Sequence, residues 1–313
     1  MAKSEFCMLA HTVNQEQLWK YTGWFMSRKL RGHRCLWDGG YSIGKKAGDI
    51  PWSTDRHTEL MCTGLWTRRG KVINAPTLWV DQLPRELVLD GELWMNDDEA
   101  FIKSVTGQGV GGRVDDRWKY VTYQVFNIPH GRFPLKVDDG ITFFLPNYAS
   151  VNSLSSLKEN WVLKTVPHAR ANSVSEMLLF YDNIISAGGE GIMLLNPNSY
   201  YECCRSNNLL KMKPEFETEA LVVNVESGTE GKQHENRIGK LVCTLVWDEK
   251  VLGFTGGSES MIRRKVYFKV GGGLSNEERE YDSGYWVGKL INFKFLYISA
   301  DGIPISPNFV KVV

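Results

Sequence analysis

Lys29 stands in the run Phe25-Met-Ser-Arg-Lys-Leu-Arg-Gly-His-Arg34. Arginines at 28, 31 and 34 crowd it, and each like charge disfavours the protonated lysine. A neutral lysine amine is a nucleophile. Gly32 is expected to be the hinge of the run. The same run on a surface strand would touch phosphate or nothing, so its chemistry depends on which other groups the chain brings to it.

Three further stretches carry such groups. Leu87-Val-Leu-Asp-Gly-Glu-Leu-Trp94 reads as a strand, and side chains alternate along a strand. Asp90 and Glu92 therefore share a face, where they either bind a cation or meet solvent. Glu190 opens a second strand pattern, Glu190-Gly-Ile-Met-Leu-Leu195. Leu209-Leu-Lys-Met-Lys-Pro214 puts Lys211 and Lys213 on one face, and two cations aimed together repel unless an anion lies between them. Gly107 to Gly112 matches G-x-G-x-x-G, but it follows a helical pattern and precedes a strand, the reverse of a dinucleotide site. It is expected to be a loop. The six cysteines show no C-x-x-C pair and no metal-ligand spacing with histidine, as expected of free thiols in a reducing cytoplasm.

The remaining elements must hold these groups. The 313 residues suggest two domains, and 42% hydrophobic with 23% charged residues is the balance of a globular protein. No apolar run approaches the roughly 20 residues needed to span a bilayer, and no signal-peptide core opens the chain. A net charge of +1 leaves any phosphate-rich partner to local basic patches. Residues 14–21 suggest a short helix capped by Asn14. Residues 35–43 suggest a hairpin turning at Asp38-Gly39. Residues 44–63 read as a long loop and 97–105 as a short helix. Tyr120 to Ile128 is a buried strand ending at Pro129. Ser173 to Ala187 fits an amphipathic helix with a Ser173–Glu176 capping box. After Pro214, five strand patterns (220–225, 240–247, 264–270, 290–297 and 309–313) fit a small OB-type barrel.

Taken in order, the motifs are Lys29 to Arg34, Thr67-Arg-Arg-Gly70, Leu89-Asp-Gly-Glu-Leu93, Tyr123-Gln-Val-Phe126, Glu190-Gly-Ile-Met-Leu194 and Leu209 to Pro214. This series resembles the covalent nucleotidyltransferase superfamily, most closely the small ATP-dependent DNA ligases of bacteria and phages. Asn74-Ala-Pro76 and the segment 201–208 are similar to that group as well. The resemblance implies an α+β fold: a nucleotidyltransferase domain of ATP-grasp-like antiparallel sheets with helices over 1–215, and an OB-fold β-barrel over 216–313.

The implied reaction seals 5′-phosphate/3′-hydroxyl nicks in duplex DNA through lysyl-AMP and DNA-adenylate. Lys29 would be the nucleophile, with Lys211 and Lys213 on the α-phosphate. Arg34, Arg68 and Lys311 would bind the ribose or phosphate region of ATP, and Phe126 would stack on adenine. Glu92 would contact the ribose or a metal, and Glu190 would support that metal, Mg²⁺ or Mn²⁺. Arg205, Arg69 and Arg237 would face DNA, with either Arg68 or Arg69 the functional member of its pair. A cytoplasmic monomer is expected.

Departures from the pattern are specific. Arg31 stands where the family usually has an aspartate, Asn127 where aspartate is common, and Lys311 where arginine is frequent. The NAD-dependent class is not expected, since no nicotinamide-recognition domain precedes Lys29. An RNA ligase, a capping guanylyltransferase and a catalytically impaired nick-binding relative are the competing readings.

Overall fold

The structure is a computed structural model and describes residues 7–107, 115–129, 146–231, 233–245, 266–296, 298–299 and 302–313. The Gly-rich stretch beyond Gly107 lies outside the described residues. Contacts divide the chain into two units, Met1–Lys213 and Pro214–Val313.

The first unit is built on two five-stranded sheets. One has the order β1 (Leu9–Thr12), β10 (Arg205–Met212), β9 (Ile192–Leu195), β2 (Phe25–Arg28) and β8 (Ala169–Arg170). The other has the order β4 (Leu65–Thr67), β3 (His33–Asp38), β5 (Val88–Trp94), β6 (Thr122–Asn127) and β7 (Leu163–Thr165). Most neighbours are antiparallel, but β1 runs parallel to β10 and β6 parallel to β7.

Helices pack against these sheets. They are α1 (Thr77–Val80), α2 (Glu99–Thr106), α3 (Asn147–Ser153) and α4 (Val174–Ser186). Met177, Tyr181, Ile192, Leu194 and Leu210 form the core beneath α4. Trp37, Trp79, Leu89, Ile102, Trp118 and Tyr123 form the core outside the second sheet. A third cluster joins the facing sheets, with Phe25 and Leu195 from one against Leu36, Trp66 and Val88 from the other. Tyr123 Oη fixes this frame by donating to the carbonyls of Leu89 (2.8 Å) and Cys35 (3.0 Å).

Several local expectations change. No hairpin forms over 35–43. The Asp38 carboxylate is buried and accepts from Gly40 N (2.9 Å), Ser42 N (3.2 Å), Ser42 Oγ (2.5 Å) and Trp66 Nε1 (2.9 Å). Residues 39–44 therefore wind around that carboxylate instead of returning as a strand, and β3 pairs with β4 and β5. Residues 44–63 pack as an ordered loop, with Ala47, Ile50, Trp52 and Cys62 buried. The segment Gln15–Tyr21 is a 3₁₀ helix to which Asn14 gives no side-chain cap. Helix α2 begins at an Asp98 cap. Ser173 Oγ does accept from Glu176 N (3.1 Å), but the Glu176 carboxylate turns to Asn172 N (3.0 Å), one residue before the expected partner.

The second unit is an antiparallel sheet in the order β13 (Tyr267–Val270), β12 (Ile238–Leu245), β11 (Phe216–Ser227), β14 (Leu290–Phe295) and β15 (Asn308–Val312). Its core contains Ala220, Leu241, Phe268, Trp286, Phe293 and Phe309. Among the described residues the sheet is not a closed barrel. A single parallel bridge, Gly272 to Asn308, links its two edges.

Candidate active site

A cleft in the first unit is lined by strands of both sheets. Lys29 follows β2 directly, and its N–H donates to Gly191 O (2.8 Å). Gly191 has a φ of +135°, and a Cβ there would meet Met212 O at 2.1 Å, so only glycine lets this loop pass β10. The result is an ion pair across the strand ends, Lys29 Nζ to Glu190 Oε2 at 2.6 Å, with the side chains 22% and 18% exposed.

Two of the three arginines around Lys29, Arg28 and Arg34, are paired with carboxylates, which weakens the cationic crowd that their spacing suggests. Arg28 Nη2 lies 2.5 Å from Asp97 Oδ2, and Arg31 N donates to Asp97 Oδ1 (3.0 Å). Trp94 Nε1 also donates to Asp97 Oδ1 (2.7 Å). Asp97 adopts a φ of +60° in the turn after β5, a conformation uncommon outside glycine, asparagine and aspartate. It pins the loop after β2 to the second sheet, and nothing in the local pattern distinguishes it from a surface turn residue.

Arg34 is held bidentately by Asp90, Nε to Oδ1 at 2.6 Å and Nη2 to Oδ2 at 2.5 Å. Asp90 is 0% exposed and also accepts from Tyr201 Oη (2.5 Å). Met8 closes the circuit: its carbonyl accepts from Arg34 (3.3 Å) and its N–H donates to Tyr201 Oη (3.0 Å). Burial, the largest single influence, disfavours the guanidinium charge, but Asp90 together with Cys7 and Tyr201 more than offsets it and holds Arg34 well above the usual arginine value. The guanidinium lies 4.4 Å over the Phe126 ring, fixing that ring at the cleft wall.

Glu92 sits opposite Arg34 in the sheet register and is half-buried at the cleft. Burial raises its carboxyl to about 7, with Glu190 and Asp90 adding to the rise and Arg34 and Lys29 opposing it. Lys211 lines the same cleft. Burial, followed by the charges of Lys213, Lys29 and Arg205, pulls its ammonium below the usual lysine range.

The cleft thus gathers Lys29, Arg34, Arg68, Glu92, Phe126, Arg205 and Lys211, with Glu190 reaching it through its pair with Lys29. Of the adjacent arginines, Arg68 lines the cleft, while Arg69 is exposed and is not among the lining residues. Arg205 Nη1 donates to Ala10 O (2.5 Å). Lys213 lies beyond the end of β10 and acts on the site through its charge on Lys211. Arg237 and Lys311 belong to the second unit, where Arg237 pairs with Glu280 (2.7 Å) and Lys311 lies exposed on β15. Reading the sequence missed the partners: Asp90 for Arg34, Asp97 for Arg28, and Tyr201 and His168 on the cleft wall.

Gly32 is not a hinge. A Cβ there would meet Leu93 O at 2.2 Å and Glu92 Cγ at 2.8 Å, so the residue permits the loop after Lys29 to lie against β5. Gly32→Ala is expected to destabilise the protein by on the order of 3 kcal/mol, because a backbone carbonyl has to move. Thermal unfolding of the variant measures this, and an unchanged midpoint would contradict the close approach.

Mg²⁺ fits this donor set only in one mode. No group of three or more His, Cys, Asp or Glu side chains among the described residues could hold a metal alone. Two carboxylates at a phosphate site suit an ion that keeps waters and takes substrate oxygens as further ligands. Burial is the chief cause of the raised Glu92 carboxyl, and a cation bound there would favour its charged form.

No family model matches the chain. It is 24% identical over 304 residues to the DNA ligase of Haemophilus influenzae, covering 95% of this chain and 88% of the relative. A solved Lig E DNA ligase, studied for DNA binding with a minimal scaffold, superposes with a TM-score of 0.72 at 23% identity over 98% of both chains. The ATP-dependent DNA ligase of bacteriophage T7, solved with ATP, superposes with a TM-score of 0.50 at 14% identity over 100% of this chain and 99% of that one. The mixed α+β fold resembles that of solved DNA ligases. The chain itself is a homologue of proteins named DNA ligase.

Proposed function

We propose that the protein is an ATP-dependent DNA ligase that joins 5′-phosphate and 3′-hydroxyl ends at nicks in duplex DNA. The observation that carries this reading is the position of Lys29 Nζ beside a cleft that also holds Phe126, Arg68, Glu92 and Lys211. In this reading the Lys29 amine gives up a proton and attacks the α-phosphorus of ATP. A P–N bond forms, the α–β P–O bond breaks and pyrophosphate leaves. The 5′-phosphate at a nick then displaces the lysine from AMP, and the 3′-hydroxyl displaces AMP to close the strand. All three steps are in-line displacements at phosphorus, in which positioning and charge stabilisation dominate.

Phe126 offers the base a ring already fixed by Arg34. Lys211, Lys213 and Arg68 supply positive charge for the phosphates. When bound, Mg²⁺ held by Glu92 and Glu190 would neutralise charge on the phosphate oxygens. Lys311 and Arg237 remain candidates for the pyrophosphate and for DNA, as do Arg205 and Arg69 for DNA. We assign residues 1–215 to adenylation and 216–313 to an OB-type domain. The antiparallel order of the second sheet and its edge bridge at Gly272–Asn308 support the latter. Among the described residues no helix is long and apolar enough to cross a membrane. A monomer acting in the cytoplasm is the working arrangement.

The test is incubation with α-labelled ATP and Mg²⁺, followed by addition of nicked DNA or nicked RNA duplex. A covalent adenylate that is consumed as DNA is sealed is the expected outcome. No label on the protein would refute the enzyme, and sealing confined to RNA strands would refute the DNA assignment.

Glu92 gives a separate, pH-based test. Its folded-state value of about 7 lies above the ordinary carboxyl value of 4.5. The fold therefore retains a proton that the unfolded chain has lost, and this contribution to stability is full below about 4.5 and disappears as pH rises through about 7. In metal-free buffer, Glu92→Gln should gain stability relative to the parent protein between pH 5 and pH 8. Denaturation midpoints measured at both ends check it, and parallel pH profiles would contradict it.

A further inference from the structure

His168 lines the cleft, yet none of the roles above uses it. Its Nδ1 lies 2.9 Å from Val166 O. A carbonyl only accepts, so Nδ1 carries the ring proton and Nε2 presents a lone pair. Burial pulls the ring down to about 4, so this neutral tautomer prevails near pH 7.

Two neighbouring strands fix the ring's position. Ala169 pairs with Met26, which sets His168 beside Ser27, a buried residue that also lines the cleft. Val166 N donates to Val125 O (2.8 Å), which ties the same segment to the strand of Phe126. The ring packs edge-on against Phe25, with centroids 6.2 Å apart. His168 is therefore anchored between the strand that leads to Lys29 and the strand that carries the stacking ring. Ser27 is two residues before Lys29, roughly 7 Å at the rise of a strand. A base against Phe126 would thus meet this segment while its phosphates reach Lys29.

We propose that His168 selects the base of the nucleotide: Nε2 accepts a hydrogen bond from the 6-amino group of adenine and repels the 6-oxo group of hypoxanthine or guanine. This rests on the nucleotide-binding reading of the cleft. A fixed acceptor is a strong discriminator, because the 6-oxo purine loses a hydrogen bond and also sets lone pair against lone pair.

The experiment compares rates of covalent nucleotidyl transfer to the protein from ATP, ITP and the triphosphate of unsubstituted purine riboside. The parent protein should favour ATP over ITP by about 100-fold or more and use the unsubstituted purine at an intermediate rate. His168→Ala should lose roughly tenfold in ATP use and gain in ITP use, because the acceptor that repels the 6-oxo group is gone. His168→Gln can turn either its carbonyl or its NH₂ to the base, so it should accept both nucleotides within a few-fold of each other. Equal losses of ATP and ITP in His168→Ala, or an unchanged ratio, would overturn the proposal. If the alanine variant does not fold, the glutamine variant and the unsubstituted purine decide. Label with unaltered selectivity sinks this proposal alone, whereas no label from any nucleotide on the parent protein sinks the ligase reading and this one with it.

Discussion

Lys29→Ala should form no covalent adenylate from ATP, and sealing of nicked duplex should fall by at least about a thousandfold. In the proposed reaction this lysine forms the P–N bond, and the described neighbours do not replace it. Glu190 is an anion, and Lys211 begins from a different strand with its own charge environment. The same variant should still close a nick whose 5′ end already carries AMP, because in that step the 3′-hydroxyl is the nucleophile. Gel assays on plain and pre-adenylated nicks measure both outcomes. The side chain is 22% exposed and its one ion pair reaches a partly exposed glutamate, so the fold should survive. Full activity in the variant would transfer the nucleophile's role elsewhere, and loss on both substrates would point to a damaged cleft.

Asp90→Asn is expected to have the largest effect on stability. Arg34, Asp90, Tyr201 and Met8 form a closed polar circuit between the two sheets of the first unit, and its carboxylate has no exposure. The asparagine keeps the shape and removes the charge. Arg34 then remains in a partly buried position without its counter-charge, and breaking a buried pair on one side typically costs about 3–5 kcal/mol. Since the chain has two units, the loss should show in the calorimetric transition of the unit containing residues 1–213. A cost below about 1 kcal/mol would mean that Arg34 finds a substitute partner. A secondary consequence is a looser Phe126 ring, since the guanidinium that lies over it would lose its fixed orientation.

These two cases mark the limit of what the sequence makes legible. Lys29, Glu92, Glu190 and Lys211 stand out because each lies in a short run with a strand period, and the fold brings those strand ends together. Phe126 is legible only through the family resemblance, since its strand alone reads as buried core. The ion pairs are not legible. Asp90 looks equivalent to Glu92 by alternation, yet one is sealed against Arg34 and the other opens to the cleft, a difference set by the contact between the sheets. Asp97 lies in a turn and His168 just before a two-residue edge strand, and neither place has a periodicity. Gly32 was legible as special, but its reason, contact with Leu93 across 60 residues, is tertiary. The winding of 39–44 follows from a buried carboxylate that a hairpin signal cannot anticipate. In the second unit all five strands follow from alternation, since each contributes a single face to one core.

The pairing of β1 with β10 carries a consequence for biogenesis. Leu9 aligns with Arg205 and Thr12 with Lys211, so the first described strand completes its hydrogen bonds only against one almost 200 residues later. Strand β2 likewise waits for β9. Closing such long-range contacts is slow, because the entropy of ordering the intervening chain is lost before the pairing compensates for it. During synthesis the second sheet can form first, since its strands all lie between Leu65 or earlier and Thr165. The cleft, in contrast, acquires its floor only when Met212 has emerged from the ribosome. A nascent chain stopped before β9 would carry Lys29 after a strand paired only with the two residues of β8, and in the proposed reaction competence to react with nucleotide would arrive late.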